Sequence, residues 1–205
     1  MPRIDTRLAL MRAAEQLFAQ QGVDRVSLRE IAVAAGQRNV SAATYHFGSK
    51  RELIEAILER HSFPVQDSWT PPLNADVEHH LTLAQLVELC VRPLVAKIDD
   101  PDGGRAYLEL CAELVTSRSF PLMGMRITST PKVHEMARRI AARGPEVPPM
   151  IRVIRDTRLA AMLYGSIGDY LRLITNGVEI ARELFIADLV NAMVGAVQAE
   201  APRQH

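Results

Sequence analysis

Residues 38–50 gather side chains suited to meeting a polar, negatively charged surface. Arg38, Asn39, Ser41, Thr44, Tyr45, His46 and Lys50 fall within this one stretch, with Val40 among them. Cationic groups, a phenol and an imidazole can contact phosphates, while amides and hydroxyls can read base edges. A catalytic reading of the same residues fails on geometry. Ser41 and His46 lie five positions apart on what must be a short helix, which is poor placement for a nucleophile and its base. Paired catalytic carboxylates, a phosphate-cradling glycine loop and a metal cluster are not evident, and His79, His80 and His134 lack companions at metal-ligand spacing. The reading is therefore of a binding protein, not an enzyme, with no cofactor.

Two short helices joined by a tight turn would position this set. Ser27 can cap the first helix, with Glu30 three residues on completing a capping box. Leu28, Ile31 and Ala32 give that helix one apolar face. Gly36 suits a left-handed exit. The second helix is expected over about Val40 to His46, anchored by Phe47, and the small residues Ser41, Ala42, Ala43 and Thr44 would let its backbone approach base edges. Gly48 breaks the chain. Ser49 and Glu52 suggest a second capping box for a further helix from Lys50 to His61, stopped by Pro64. Lys50 sits in that helix's first turn, where free N–H groups already favour a phosphate. Ser27, at the start of the first helix, joins the DNA-contact candidates.

This string resembles the tetracycline-repressor (TetR) family of bacterial transcription regulators. The resemblance rests on Ala13-Ala14, Leu17-Phe18, Gln21-Gly22, Ser27-Leu28, Ile31-Ala32, Ala35-Gly36, Tyr45-His46-Phe47, Ser49-Lys50 and Leu53, within residues 5–62. The segment between Gly36 and Phe47 is one residue longer than the commonest family pattern. Thr44 stands where that pattern has an aromatic, and Gln37, Arg38 and Asn39 occupy the turn. The resemblance implies an all-α protein. A three-helix helix-turn-helix DNA-binding domain would span residues 1–62, and a helical effector-binding and dimerisation domain residues 63–205. It also implies a double-stranded operator as partner, a homodimer, and release by a small molecule. The competing reading keeps the DNA-binding head but switches it through a protein partner.

Composition agrees with a helical protein that buries a sizeable core. The chain has 205 residues, 48% of them hydrophobic and only 5% aromatic, and its formal net charge is zero. Residues 1–62 hold nine Lys/Arg against seven Asp/Glu, so the head is only weakly basic and its non-specific DNA affinity should be modest. Charges interrupt every apolar run, which argues against a membrane span. The start Met1-Pro2-Arg3-Ile4-Asp5 has no apolar secretory core, and Cys90 and Cys111 sit in apolar helical patterns; both point to the reducing cytoplasm.

Beyond the head, the periodicity predicts helices over about 6–20, 82–98 (capped by Thr82, with Pro93 kinking it), 105–117, 131–144, 148–175 and 179–198. A proline-bearing connection over 62–80 marks the domain boundary. The last two helices are apolar around most of their girth, which calls for burial on two sides; about 150–175 and 179–198 are the expected dimer surface. An effector pocket is expected among Leu86, Cys90, Leu94, Tyr107 and Cys111. Phe120, Met123, Met162 and Tyr170 are its remaining candidates. Arg152, Arg155 and Arg158 recur every third residue and read as a solvated face rather than as the seat of an acidic ligand.

Overall fold

The computed structural model describes residues 5–75 and 80–200, so His79 lies outside the described residues. The architecture is all-helical. Among the described residues ten α-helices follow in order: α1 Thr6–Gln21, α2 Leu28–Ala34, α3 Ala42–Phe47, α4 Lys50–Ser68, α5 Thr70–Ala75, α6 Leu83–Ala96, α7 Gly104–Thr116, α8 Pro131–Ala141, α9 Pro149–Thr175 and α10 Arg182–Gln198. Short 3₁₀ turns at Lys97–Asp99, Leu122–Gly124 and Arg126–Thr128 join them.

Local chemistry sets most helix starts. The Asp5 side chain accepts from the Arg7 N–H, and the Thr130 side chain from that of Val133. Ser27 with Glu30 and Thr82 with Gln85 form reciprocal capping boxes, each satisfying N–H groups that the first helical turn leaves open. At Ser49 only half of the expected box exists. Its hydroxyl accepts from the Glu52 N–H, but the Glu52 carboxylate turns away to Arg126, 2.9 Å distant.

The helix expected to stop at Pro64 does not. α4 runs through Pro64 to Ser68, and residues 70–75, expected as connection, form α5. An interior proline costs about 3 kcal/mol. Past it, however, Val65 and Trp69 are buried, and burial of side chains this large contributes about 1.5–3 kcal/mol each. Tertiary burial therefore overrides the local break. Helix α6 likewise continues through Pro93.

Helices α1–α3 pack on one another and on the start of α4, while α6–α10 assemble around the α7–α9 and α6–α10 contacts. One continuous apolar core extends from Leu10 to Val197, with Leu53, Ile54, Ile57 and Leu58 of α4 inside it. α4 is the helix common to both groups. It touches α1 and α3 at one end and α7 and α8 further along. Among the described residues no helix is long and apolar enough to cross a membrane.

Candidate nucleic-acid interface and effector cavity

Helix α2 ends in a left-handed residue, Gly36 at φ 68°, with the Gln37 N–H closing back on the Ala32 carbonyl at 3.0 Å. The turn is then held by Asn39, whose Oδ1 accepts from the Ser41 N–H at 2.9 Å. Ser41 is the N-cap of α3 without using its side chain, so its hydroxyl is available. The second helix accordingly starts two residues later than expected: Val40 and Ser41 belong to the turn, not to the helix.

The sequence-selected set separates by burial. Ser27, Arg38, Asn39, Val40, Ser41, Thr44, Tyr45 and His46 are all exposed, and Tyr45 is 84% so. Ala42 and Ala43 are buried with Phe47. Those two alanines, expected to ease approach to bases, instead seat α3 within the head. The outward face of the reader is therefore Ser41, Thr44, Tyr45 and His46, flanked by Arg38 and Asn39. The Tyr45 and His46 rings meet edge-on at 5.3 Å. Ser27 has its hydroxyl committed to the Glu30 carboxylate, and this hydrogen bond, with one from the Ser27 N–H, lowers the Glu30 pKa below the usual carboxylate value.

Lys50 is placed differently from its neighbours. It is half-buried, and its Nζ lies 3.3 Å from the Asp24 carbonyl. The same ammonium sits 5.5 Å from the Phe120 ring and 6.0 Å from that of Phe18. Burial lowers the Lys50 pKa, opposed by Asp24, Glu113 and Glu30. In this position it ties α4 to the α1–α2 turn and to the loop after α7. Arginines not selected from sequence flank the reader instead: Arg29 on α2 and Arg25 before it are exposed, and Arg7 of α1 stands 5.0 Å over the Phe47 ring. Their signal, a basic residue on the outward side of a capped helix, becomes readable only once the helix orientation is known.

A second site lies on the far half of α4. A partly open cavity of about 340 Å³ is lined by α4, α6, α7, α8, α9 and the 3₁₀ turns after α7. Of the residues expected to line it, Cys90, Leu94, Tyr107 and Met123 do. Leu86 and Cys111 are fully buried in the core, off the cavity wall. Phe120 packs at Lys50, and Tyr170 stacks on Phe185 of α10 at 4.3 Å. Met162 is half-buried elsewhere on α9. The wall is completed by Val65, Gln66 and Trp69, which the expected stop at Pro64 had hidden, and by Ile127, Asp156 and Tyr164. Its polar floor is tied to α4: the Ser62 and Tyr107 hydroxyls lie 2.8 Å apart, and Gln66 donates to the Ile127 carbonyl at 3.1 Å. Burial pushes the Cys90 thiol up to about 12, so it is uncharged at neutral pH. The arginines of α9 point elsewhere. Arg155 is buried and donates to the carbonyls of Val197 and Glu200, and Arg152 lies by the Pro145 carbonyl, so Arg155 is not on a solvated face. Both cysteines are free and buried.

Between the two sites the contacts are ionic and specific. Glu15 of α1, only 2% exposed, accepts from Arg60 and lies 2.9 Å from His61 Nε2, both on α4. His61 stacks on Tyr107 at 4.8 Å. Glu113 of α7 accepts from the Val23 N–H at 2.7 Å, which fixes the α1–α2 turn.

Comparison with known proteins agrees with this geometry. Residues 10–57 match the family model described as bacterial regulatory proteins, tetR family. The repressor BepR of Brucella suis is 38% identical over 63 residues, 31% of this chain and 30% of BepR. The regulator SrpR of Pseudomonas putida is 33% identical over 72 residues, 35% of this chain and 33% of SrpR. The chain thus aligns with about a third of each relative's length. The fold extends further: NalD, the secondary repressor of the MexAB-OprM multidrug efflux pump in Pseudomonas aeruginosa, superposes with TM-score 0.59 at 23% identity over 94% of this chain and 95% of its own. A reader head of this geometry, matched over residues 10–57 by the family model, is the N-terminal module of the tetR family of bacterial regulatory proteins, and the remainder of the chain shares the fold of the solved regulators.

Proposed function

We propose that the protein is a transcriptional repressor that binds a palindromic operator as a homodimer and leaves it when a small apolar or amphipathic molecule enters the α4 cavity. Residues 1–62 hold the DNA and the remainder senses and dimerises. The observation that carries this reading is the sharing of one helix: α4 begins beside the reader, and Ser62, Val65 and Gln66 on its far half, with Trp69 capping its end, wall the cavity. A ligand preferring one tilt of α4 changes the separation of the two readers, and only such a differential preference moves the equilibrium.

Dimerisation is supported by the outward faces of α9 and α10. Ile154, Met150 and Leu184 are exposed at 38%, 70% and 67%. Gly165 and Gly195 have nothing within 4 Å of where a Cβ would stand, so a second helix can approach closely there. In a two-fold dimer the readers must lie roughly 34–36 Å apart, one turn of DNA, or a multiple of it. The cavity favours this reading over one in which a protein partner switches the head, since that mechanism needs no internal space.

The test is selection of bound duplexes from a random library, followed by titration of the winner. A palindromic consensus with two protomers per duplex is expected. A coupling of about 1–3 kcal/mol makes a bound effector weaken the operator by roughly 5–150-fold, and linkage demands that the operator weaken the effector equally. A consensus without two-fold symmetry, or equal effector affinity with and without operator, would refute the proposal.

A further inference from the structure

The cavity has a lopsided electrostatic character that specifies its ligand more closely, given the effector reading above. Among the described residues its wall carries no lysine or arginine, one imidazole, that of the exposed His134 on α8, and one carboxylate, that of Asp156 on α9. Asp156 is half-buried and makes no ion pair or hydrogen bond among the described residues, although Arg152 one turn away acts on it through space. Burial dominates over Arg152 and raises the Asp156 pKa, the mark of a carboxylate short of compensation. Three aromatic rings, Trp69, Tyr107 and Tyr164, share the same wall.

A second observation is independent of the first. Trp69 is 92% buried, from its 8% exposure, and its indole Nε1 is a buried donor with no partner among the described residues. Buried N–H groups are nearly always paired, because leaving one unpaired costs about 1–3 kcal/mol. Ser62, Tyr107 and Gln66 of the floor, and the Thr128 and Thr157 hydroxyls, are already bonded to one another or to the chain. What the cavity lacks is one acceptor at Trp69 and one positive charge at Asp156.

We infer that the effector is a lipophilic organic cation: an apolar, ring-bearing molecule with a protonated amine for Asp156 and a carbonyl or ether oxygen for Trp69. A fatty acid or other apolar anion is the wrong class, since it would bring a charge of Asp156's own sign to a wall without a lysine or arginine. Aromatic faces strengthen the choice, because a desolvated cation gains from their quadrupoles and an anion loses.

Trp69 is the only tryptophan in the chain, so its emission reports this cavity directly. The experiment titrates the full chain with three molecules of one shape: dibucaine, which carries an amide carbonyl and a protonated tertiary amine on a quinoline body; its analogue with carbon in place of the amine nitrogen; and its analogue ending in a carboxylate. Dibucaine should bind at least about tenfold more tightly than the uncharged analogue, with the carboxylate weakest. Asp156→Asn should bring dibucaine and the uncharged analogue to within about twofold of each other, the difference expected once the charge contact is gone. Equal or tighter binding of the uncharged or anionic molecule to the unmodified protein overturns the inference. So does a silent Trp69 with all three, or a dibucaine preference that survives Asp156→Asn. A duplex-release assay separates this from the broader reading. Ordered binding that leaves the operator bound would uphold the ligand class and sink the release mechanism, whereas release by the uncharged analogue at equal affinity would do the reverse.

Discussion

Individual residues of the reader divide into those that shape it and those that face outward. Gly36 shapes it. At φ 68° an alanine would pay the left-handed backbone penalty, yet nothing lies within 4 Å of the new methyl group. Gly36→Ala should therefore lower unfolding stability by roughly 1 kcal/mol, read by urea denaturation, with no packing penalty added. Thr44 faces outward with no structural duty in the head, so Thr44→Ala should alter base preference at one operator position. Arg38→Ala should weaken specific and scrambled DNA alike and lower the salt slope by roughly one unit. Lys50 is expected to break that pattern. Its ammonium is already engaged with Asp24 and two aromatic rings, so Lys50→Ala should reduce head stability and leave the salt slope nearly unchanged. A slope change matching that of Arg38→Ala would return Lys50 to the phosphate contacts that its position in the sequence suggested.

At the scale of elements, the decisive piece is α4 and its ionic seating. Arg60 bridges Glu15 of α1 and Asp102 of the α6–α7 turn, and Arg12 reaches Asp102 at 2.7 Å. Removing one partner of a buried pair strands the other charge, at about 3–5 kcal/mol. Glu15→Ala should lose less than that in thermal or chemical denaturation, because Arg60 keeps Asp102, and Glu15→Gln, which keeps an acceptor, should lose less still. The Asp102 carboxyl is held below its ordinary 3.8 by its hydrogen bond from Arg60, opposed by slight burial and aided by Arg12. A depressed folded pKa contributes stability that is complete above the unfolded value and disappears as pH falls through the folded one. The α4 seating should thus be intact at neutral pH and loosen only below about pH 4. Hydrogen exchange of α4 amides should show the change at acid pH, and Asp102→Asn should abolish that pH step. Glu113 of α7 adds a further link, since it accepts from the Val23 N–H.

For the whole molecule the open question is its partner copy. Apolar and small residues left outward on α9 and α10 belong to helices whose other sides are already in the core. Light scattering should give twice the chain mass, and Leu184→Glu should give a monomer that keeps its helicity but loses tight operator binding. A monomeric unmodified protein at micromolar concentration would remove the basis for the two-fold operator.

Much of this protein is legible in the chain because capping and periodicity are local. The Ser27–Glu30 box, the left-handed Gly36 and the span of α9 depend on residues a turn or two apart, and the sequence states those relations directly. The all-helical class and the reader head follow from them. What lay out of reach depends on groups far apart in the chain. Pro64 reads as a stop until the burial of Val65 and Trp69 is known. Glu15 and His61 are 46 positions apart, and nothing in either neighbourhood announces the other. Lys50 has internal contacts that its own neighbourhood does not announce, because Asp24 and Phe120 surround it. The cavity's membership, with Trp69 and Asp156 in and Cys111 and Tyr170 out, was decided by which face of each helix the core had already claimed, a choice that only the packed tertiary structure makes.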